Sequence, residues 1–258
     1  MSTTESLARP VGISDRQINY VAHRNALLDA LTLSSGAIDA VSFLGLGKVF
    51  TAFMTGNVAF LGMAFAGSPV APRVVSVLAS MAGFAIGVFI AAKIVAAPST
   101  QPAAHQGEPS AATVWPKRTT VALCVSLLAH LCFVVIWFAT GGTPDDTIIP
   151  VLLGVWAAAM GLQSGAVRRL NVGGIFTTAA TATFIFLFSD EANFRLTADE
   201  RTRMRGILIS LVIGATAGAY ALIHAPHYAP VLPLVVTAFV VATAAWTFRD
   251  RDEAQESH

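Results

Sequence analysis

Eight apolar runs follow one another along this chain, and their lengths and flanking charges limit what it can fold into. The runs cover residues 26–46, 49–67, 74–97, 119–140, 148–170, 175–189, 206–224 and 231–248. A helix needs about 20 residues to cross a bilayer, with about 17 as the lower limit. The second run is interrupted by Thr55-Gly56-Asn57, and the sixth has only 15 residues. Six runs are therefore predicted to span a membrane, and two are not.

The composition excludes several classes of protein. Charged residues make up only 12% of the chain, whereas a soluble domain carries about twice that share. The net charge of +1 gives no reason to expect a nucleic-acid partner. The sequence has neither a nucleophile–base pair nor metal-ligand spacing, so we expect no enzyme, metal site or cofactor.

The chain is predicted to form one membrane domain built from two parts. Residues 26–140 form the first part, which contains a hydrophilic loop at 98–116, and residues 147–248 form the second. Polar tails at 1–25 and 249–258 flank them, and residues 199–205 form a solvated, mixed-charge loop.

Lysine and arginine decide between two topologies, because they collect in cytoplasmic loops. If all eight runs cross, ten of these residues lie inside and six outside. If the second and sixth runs enter the bilayer and return to the same side, fourteen lie inside and two outside, namely Lys48 and Arg73. The stronger bias favours two re-entrant segments, with both termini in the cytoplasm.

The two parts also resemble each other. An offset of 126 residues aligns three positions of the second run with the sixth: Phe50 with Phe176, Thr51 with Thr177, and Thr55 with Thr181. An offset of 131 aligns Gly83-xxx-Gly87 with Gly214-xxx-Gly218, and small residues at this spacing let helices approach closely. The predicted fold is an all-α membrane protein with six transmembrane helices and two re-entrant, broken segments in two inverted repeats.

Broken segments at matching positions of inverted halves indicate a transport site. Non-helical backbone survives at membrane depth only where protein or a wet cavity satisfies it, and a helix that starts there favours an anion or a polar oxygen. We expect the breaks at 51–57 and 173–178. The candidate ligand groups are Thr51, Thr55, Asn57, Thr177, Thr178 and Thr181. Alternatively, the threonines cap helices or bond back to their own chain.

Asp39 lies past the middle of the first run, where a carboxylate costs about 3 kcal/mol to insert. It is a candidate site for a proton or a sodium ion, and the alternative is a structural hydrogen bond to the threonines of the second run. Gln163 and Ser164 occupy a similar place in the fifth run. They either complete the polar lining or form an interhelical hydrogen bond.

Several of these motifs together resemble the YoaK family of bacterial inner-membrane proteins, a family of unknown function. The elements are Gly36-x-x-Asp39-Ala40-x-x-Phe43, Phe50-x-x-x-Met54-Thr55-Gly56-Asn57, Gly161-Leu162-Gln163, Arg168 and Thr177-Thr178-x-x-Thr181. The resemblance extends over about residues 26–246 and implies a multi-pass protein of the bacterial inner membrane. It implies no established activity.

The function expected from the sequence is secondary transport of a small polar or anionic solute, coupled to protons or sodium through Asp39. A channel-like pore and a non-transporting partner or sensor protein are the alternatives. The expected partners are the lipid bilayer and a small solute, and a homo-oligomer is left open.

Overall fold

The computed structural model describes residues 15–96, 114–168, 170 and 198–248, most of which are helical. The helices in this part of the chain are α1 (Asp15–Gly45), α2 (Met54–Phe65), α3 (Val74–Val95), α4 (Lys117–Ala139), α5 (Ile148–Arg168), α6 (Ala198–His224) and α7 (Val231–Thr247), with a short 3-10 helix at Pro226–Tyr228. Of these, α1, α3, α4, α5 and α6 are each long and apolar enough to cross a membrane, and so is α7 together with the 3-10 helix before it. The prediction of an all-α membrane protein with six transmembrane helices is confirmed.

Two of the spanning helices begin before their apolar runs do. Helix α1 starts at Asp15 rather than near residue 26, and α6 starts at Ala198 rather than near residue 206. Residues 199–205, predicted as a loop, form the first turns of α6 instead. Asp199 and Glu200 in its first turn favour a helix start, because they complement the positive end of the helix dipole. Hydropathy marks only the part of a helix that lies in lipid, so it missed these polar turns.

The first predicted break lies earlier than expected. The irregular stretch is 46–53, and residues 54–57, predicted as broken, already belong to α2. Gly47 and Lys48 have φ values of +83° and +64°, a left-handed conformation that ends α1. Gly56 lies inside α2 without breaking it. Its missing side chain leaves room for a ring, since a Cβ there would lie 2.7 Å from Cδ1 of Phe53.

Helix α2 does not cross the bundle. It has 12 residues and is therefore about 18 Å long, against an apolar bilayer thickness of about 30 Å. Arg73, just before α3, pairs with Asp146 just before α5, with Nη1 and Oδ1 3.2 Å apart. The end of α1 lies at the same face, because a Cβ on Gly45 would be 3.7 Å from the ring of Trp137 at the end of α4. Residues 46 and 73 therefore lie at the same end of the bundle, which we call the upper face. The chain between them enters the bundle and returns, as the re-entrant topology predicts.

The opposite end of the bundle is the lower face. One apolar cluster there joins the first half of α1, the end of α3, the start of α4, the end of α5 and the start of α6. Its members include Leu27, Val95, Trp115, Leu170 and Ile207. Leu170, just after α5, and Ile207, near the start of α6, therefore lie at the same face. The predicted re-entrant run 175–189, with Thr177, Thr178 and Thr181, lies outside the described residues.

Glycines bring two pairs of spanning helices into backbone contact. Helix α3 packs on α5, where a Cβ on Gly83 or Gly87 would collide with the carbonyl oxygens of Gly154 and Ala158. The close helix approach expected of this glycine pair is therefore present.

Helix α1 packs on α6 in the same manner. A Cβ on Gly214 or Gly218 would collide with the carbonyl oxygens of Leu33 and Ala37. Helix α4 packs on α5 and α7, and α1 also packs on α7, so α1 and α5 are central members of the bundle.

Candidate functional site

Asp39 anchors the irregular stretch that leads into α2. It lies six residues before the end of α1, about 9 Å below that end. Its Oδ1 accepts hydrogen bonds from the backbone N–H groups of Thr51 and Ala52, both at 2.8 Å, and from the Thr51 hydroxyl at 3.4 Å. The backbone N–H of Phe53 also donates to this carboxylate. The chain after α1 therefore folds back by more than one helical turn to meet Asp39.

This carboxylate, on a neighbouring helix, holds the chain at the start of α2. Phe53, the residue at the N-cap position of α2, makes no side-chain capping bond of its own. The first N–H groups of a helix need acceptors and carry partial positive charge, which favours an anion at that end. Asp39 binds one of these groups, the N–H of Phe53, together with the two N–H groups before it. A protein carboxylate therefore already lies at the helix start that was expected to attract a ligand.

Asn57 holds the same stretch from the other side. Its Oδ1 accepts from the Phe50 N–H at 3.1 Å, and its Nδ2 donates to the Phe50 carbonyl at 2.7 Å and to Ser80 Oγ on α3 at 3.2 Å. Ser80 Oγ in turn donates to the Phe50 carbonyl at 2.6 Å. Asn57 and Ser80 are fully buried. The irregular backbone is thereby fastened to α1, α2 and α3.

Aromatic rings surround the irregular stretch 46–53, called the fold-back below. Phe43 of α1 stacks on Phe50 with ring centroids 4.9 Å apart, and Phe53 meets Phe50 edge-on at 5.3 Å. Phe60 of α2 stacks on Phe50 at 5.8 Å. These rings pack beside the polar contacts of Asn57, which is fully buried, and form one side of the space next to Asp39.

A groove of about 610 Å³, the Asp39 groove, lies between α1, the fold-back and α6. Its lining is mostly apolar and consists of Ser35, Gly36, Asp39, Ala40, Phe43, Leu44, Phe50, Phe53, Leu211, Ala215, Thr216 and Ala219. Its mouth faces the side of the bundle, since Leu44 and Phe53 are 55% and 40% exposed. Asp39 is its acidic group.

The structure gathers three of the predicted site residues and separates three others from them. Asp39, Thr51 and Asn57 converge on the fold-back. Thr55 is exposed on α2 and does not line the groove. Its outward position follows from the helix that begins at Met54, because residues two apart in a helix point about 200° from each other.

Gln163 and Ser164 lie closer to the lower face than Asp39 does. The Gln163 amide donates to the carbonyl of Leu31 on α1 at 3.2 Å. Leu31 is eight residues before Asp39, about 12 Å along the helix. Ser164 Oγ is buried and has no hydrogen-bond partner within the described part of the chain. Gln163 therefore forms the interhelical bond that the sequence left as an alternative.

Sequence reasoning missed Ser80 and the α6 wall of the groove. Ser80 carries no signal, because a single serine in an apolar run is common. Phe43 and Phe50 appeared in the motifs, but only the fold-back shows that they form one wall with Phe53. No group of three His, Cys, Asp or Glu able to hold a metal occurs within the described ranges.

Comparison with known proteins agrees with this architecture. Residues 27–243 match the sequence model of DUF1275, a protein family of unknown function. The chain is 30% identical over 230 residues to the UPF0700 transmembrane protein YoaK of Bacillus subtilis (strain 168), an alignment that covers 86% of this chain and 95% of that protein. No solved structure matches. The chain belongs to the YoaK (DUF1275) family of multi-pass membrane proteins.

Proposed function

We propose that this protein is a secondary transporter for a small solute, in which Asp39 is the group that couples transport to a proton or sodium ion. The observation that carries the proposal is the link between Asp39 and the start of α2. A carboxylate at membrane depth holds the three residues that lead into a half-length helix, through three consecutive backbone N–H groups. Intramembrane acidic groups and broken helices are typical of ion and substrate pathways.

The link suggests how coupling works. The N–H groups of residues 51–53 bind the ionised carboxylate more strongly than a neutral one. When a proton or sodium ion neutralises Asp39, its hold on α2 weakens. The fold-back is then free to shift between α1 and α6, and the Asp39 groove changes shape. Ion occupancy and solute access would thus depend on one hydrogen-bonded contact.

The pattern of helix contacts supports the inverted repeats that such a mechanism uses. Gly87 packs on the carbonyl of Ala158 in α5, and Gly214 packs on the carbonyl of Leu33 in α1. Ala158 follows Leu33 by 125 residues, and Gly214 follows Gly87 by 127. These offsets flank the offset of 126 between the re-entrant runs. They favour aligning Gly214 with Gly87 rather than with Gly83.

The orientation and location follow from charge. Among the residues that the structure describes, Lys48 and Arg73 are the lysine and arginine at the upper face, and the topology predicted from the sequence assigns the other fourteen to the opposite side. We therefore place the upper face outside and both termini in the cytoplasm of a bacterial cell, with the protein in the inner membrane. No catalytic role is proposed.

The decisive experiment is solute uptake into sealed proteoliposomes that contain the full chain. Uptake from a panel of labelled solutes is measured with and without a proton or sodium gradient. Asp39→Asn keeps an acceptor for the N–H groups but cannot ionise, so gradient-driven uptake should fall to background. Asp145→Asn is the matched control, because Asp145 caps α5 at the surface by accepting from the N–H groups of Thr147 and Ile148.

The alternatives give different results. Uptake that follows the solute gradient without saturating, in wild type and Asp39→Asn alike, indicates a pore. If no solute in the panel is taken up by wild type, the transport proposal fails and a partner or sensor role takes its place.

A further inference from the structure

The chemistry of the Asp39 groove suggests what enters it. We propose that the groove binds an organic monovalent cation with apolar substituents, which reaches Asp39 sideways from the lipid. This inference names a substrate class for the site described above, and as a statement about transport it rests on the proposed function. It differs from the small polar or anionic solute expected from the sequence.

Charge favours a cation over an anion. The carboxylate of Asp39 is bonded to N–H groups and a hydroxyl, which carry no net charge. Within the residues that the structure describes, no lysine or arginine forms an ion pair with it. An anion would meet a carboxylate where the sequence predicted a free helix N-terminus, whereas a cation would supply the missing counter-charge.

The walls favour an organic ion over a small hydrated one. The groove is lined by the rings of Phe43, Phe50 and Phe53 and by aliphatic side chains of α6. Aromatic and aliphatic walls accept apolar substituents. A small inorganic ion at the carboxylate would leave these apolar walls without a partner, so the groove as a whole fits an organic ion better. A volume of about 610 Å³ lies within the usual range of small-molecule sites.

The position of the mouth sets the route of entry. The groove runs along Ser35–Leu44 of α1 and Leu211–Ala219 of α6, both within membrane-spanning helices. Its floor is closed, because α1 and α6 touch backbone to backbone at Gly36 and Leu211. Exposed residues at its rim, such as Leu44 and Thr216, face lipid. A lipophilic cation already dissolved in the bilayer can therefore reach the carboxylate without crossing the protein.

The test compares two probe ions of matched size and shape and opposite charge. Binding of tetraphenylphosphonium and of tetraphenylborate to the purified full chain in detergent is measured by equilibrium dialysis. We expect saturable binding of tetraphenylphosphonium that weakens about tenfold or more in Asp39→Asn. Tetraphenylborate should bind weakly and without dependence on Asp39. Equal binding of both ions, or no effect of Asp39→Asn, would overturn the proposal.

A second variant covers the case in which Asp39→Asn does not fold. Ala219→Leu fills the α6 wall of the groove and leaves Asp39 in place, so it should also abolish saturable tetraphenylphosphonium binding. Ala85→Leu on the exposed side of α3 is its control and should bind as wild type does. If Ala219→Leu binds as wild type does, the groove is not the site.

The outcomes separate this inference from the proposed function. Asp39-dependent cation binding without any uptake would support the binding site and contradict the transport function. Gradient-driven uptake of other solutes without tetraphenylphosphonium binding would support the transport function and contradict the cation site.

Discussion

Thr51 donates two hydrogen bonds to Asp39, one from its backbone N–H at 2.8 Å and one from its hydroxyl at 3.4 Å. These residues are twelve positions apart, and the left-handed turn at Gly47 and Lys48 lies between them. The contact solves a problem that any broken segment at membrane depth faces, since its N–H groups cannot reach water. An acidic residue in α1 satisfies them, and in doing so it sets the position of α2.

Removing the acceptor at Asp39 should therefore destabilise the protein more than removing only its charge does. Asp39→Ala leaves three N–H groups without an acceptor, and we expect a loss of about 3 kcal/mol in the free energy of unfolding. Asp39→Asn should cost about 1 kcal/mol or less, because its carbonyl oxygen still accepts. The measurement is denaturant unfolding in detergent, followed by circular dichroism.

Asp145→Ala provides the reference for an ordinary surface cap and should cost about 1 kcal/mol. Equal losses for Asp39→Ala and Asp145→Ala would mean that the N–H groups of residues 51–53 find other acceptors, and the anchoring role would be wrong.

Asn57 and Ser80 should act as one unit. Both side chains donate to the Phe50 carbonyl and they bond to each other, so their contributions to stability should not add. We expect Asn57→Ala to cost about 3 kcal/mol and Ser80→Ala about 1 kcal/mol. The double variant should be less destabilised than the sum by about 1 kcal/mol.

A double-mutant cycle measured by the same unfolding assay tests this coupling. Limited proteolysis adds a local readout, because loss of Asn57 should expose the stretch 46–53 to cleavage before the helices unfold. Strict additivity of the two substitutions would show that they hold the fold-back independently.

Glycines in helix contacts should be far less tolerant than a glycine that faces open space. Gly87→Ala and Gly214→Ala each force a Cβ against a carbonyl oxygen of the facing helix, and we expect a loss of about 2 kcal/mol. Gly62→Ala on α2 meets nothing within 4 Å. It should be neutral or stabilising by about 0.5 kcal/mol, since alanine favours a helix. The measurement is thermal unfolding of the three variants and wild type under the same conditions. A Gly214→Ala variant as stable as wild type would contradict the close α1–α6 contact.

The spans and the first re-entrant segment could be predicted because the properties that specify them are local. Bilayer thickness sets a minimum length for each run, and the distribution of lysine and arginine separates the two topologies. Asp39 was identifiable because an acidic residue inside a span is costly. These arguments need no knowledge of which helices touch.

The partners within the site could not be predicted, because they depend on exact helix starts and depths. The sequence treated Thr55 and Asn57 as one break, but a helix that begins at Met54 turns them to different sides. Gln163 matched Asp39 by its place in a run, yet packing puts it level with Leu31. Ser80 became part of the site only through the crossing of α3 and the fold-back.

The re-entrant path of residues 46–73 is open to a direct test by cysteine labelling. In a background without Cys124 and Cys132, single cysteines are placed at Lys48, Ser68 and Thr143 and, for the opposite face, at Asp199. We expect a membrane-impermeant maleimide to label the first three from the same side of intact inverted or right-side-out vesicles. Asp199→Cys should be labelled only from the other side, because α6 begins at the lower face. If Lys48→Cys and Ser68→Cys reacted from different sides, α2 would have to cross the bilayer. The ion pair of Arg73 with Asp146 at the upper face could not then form.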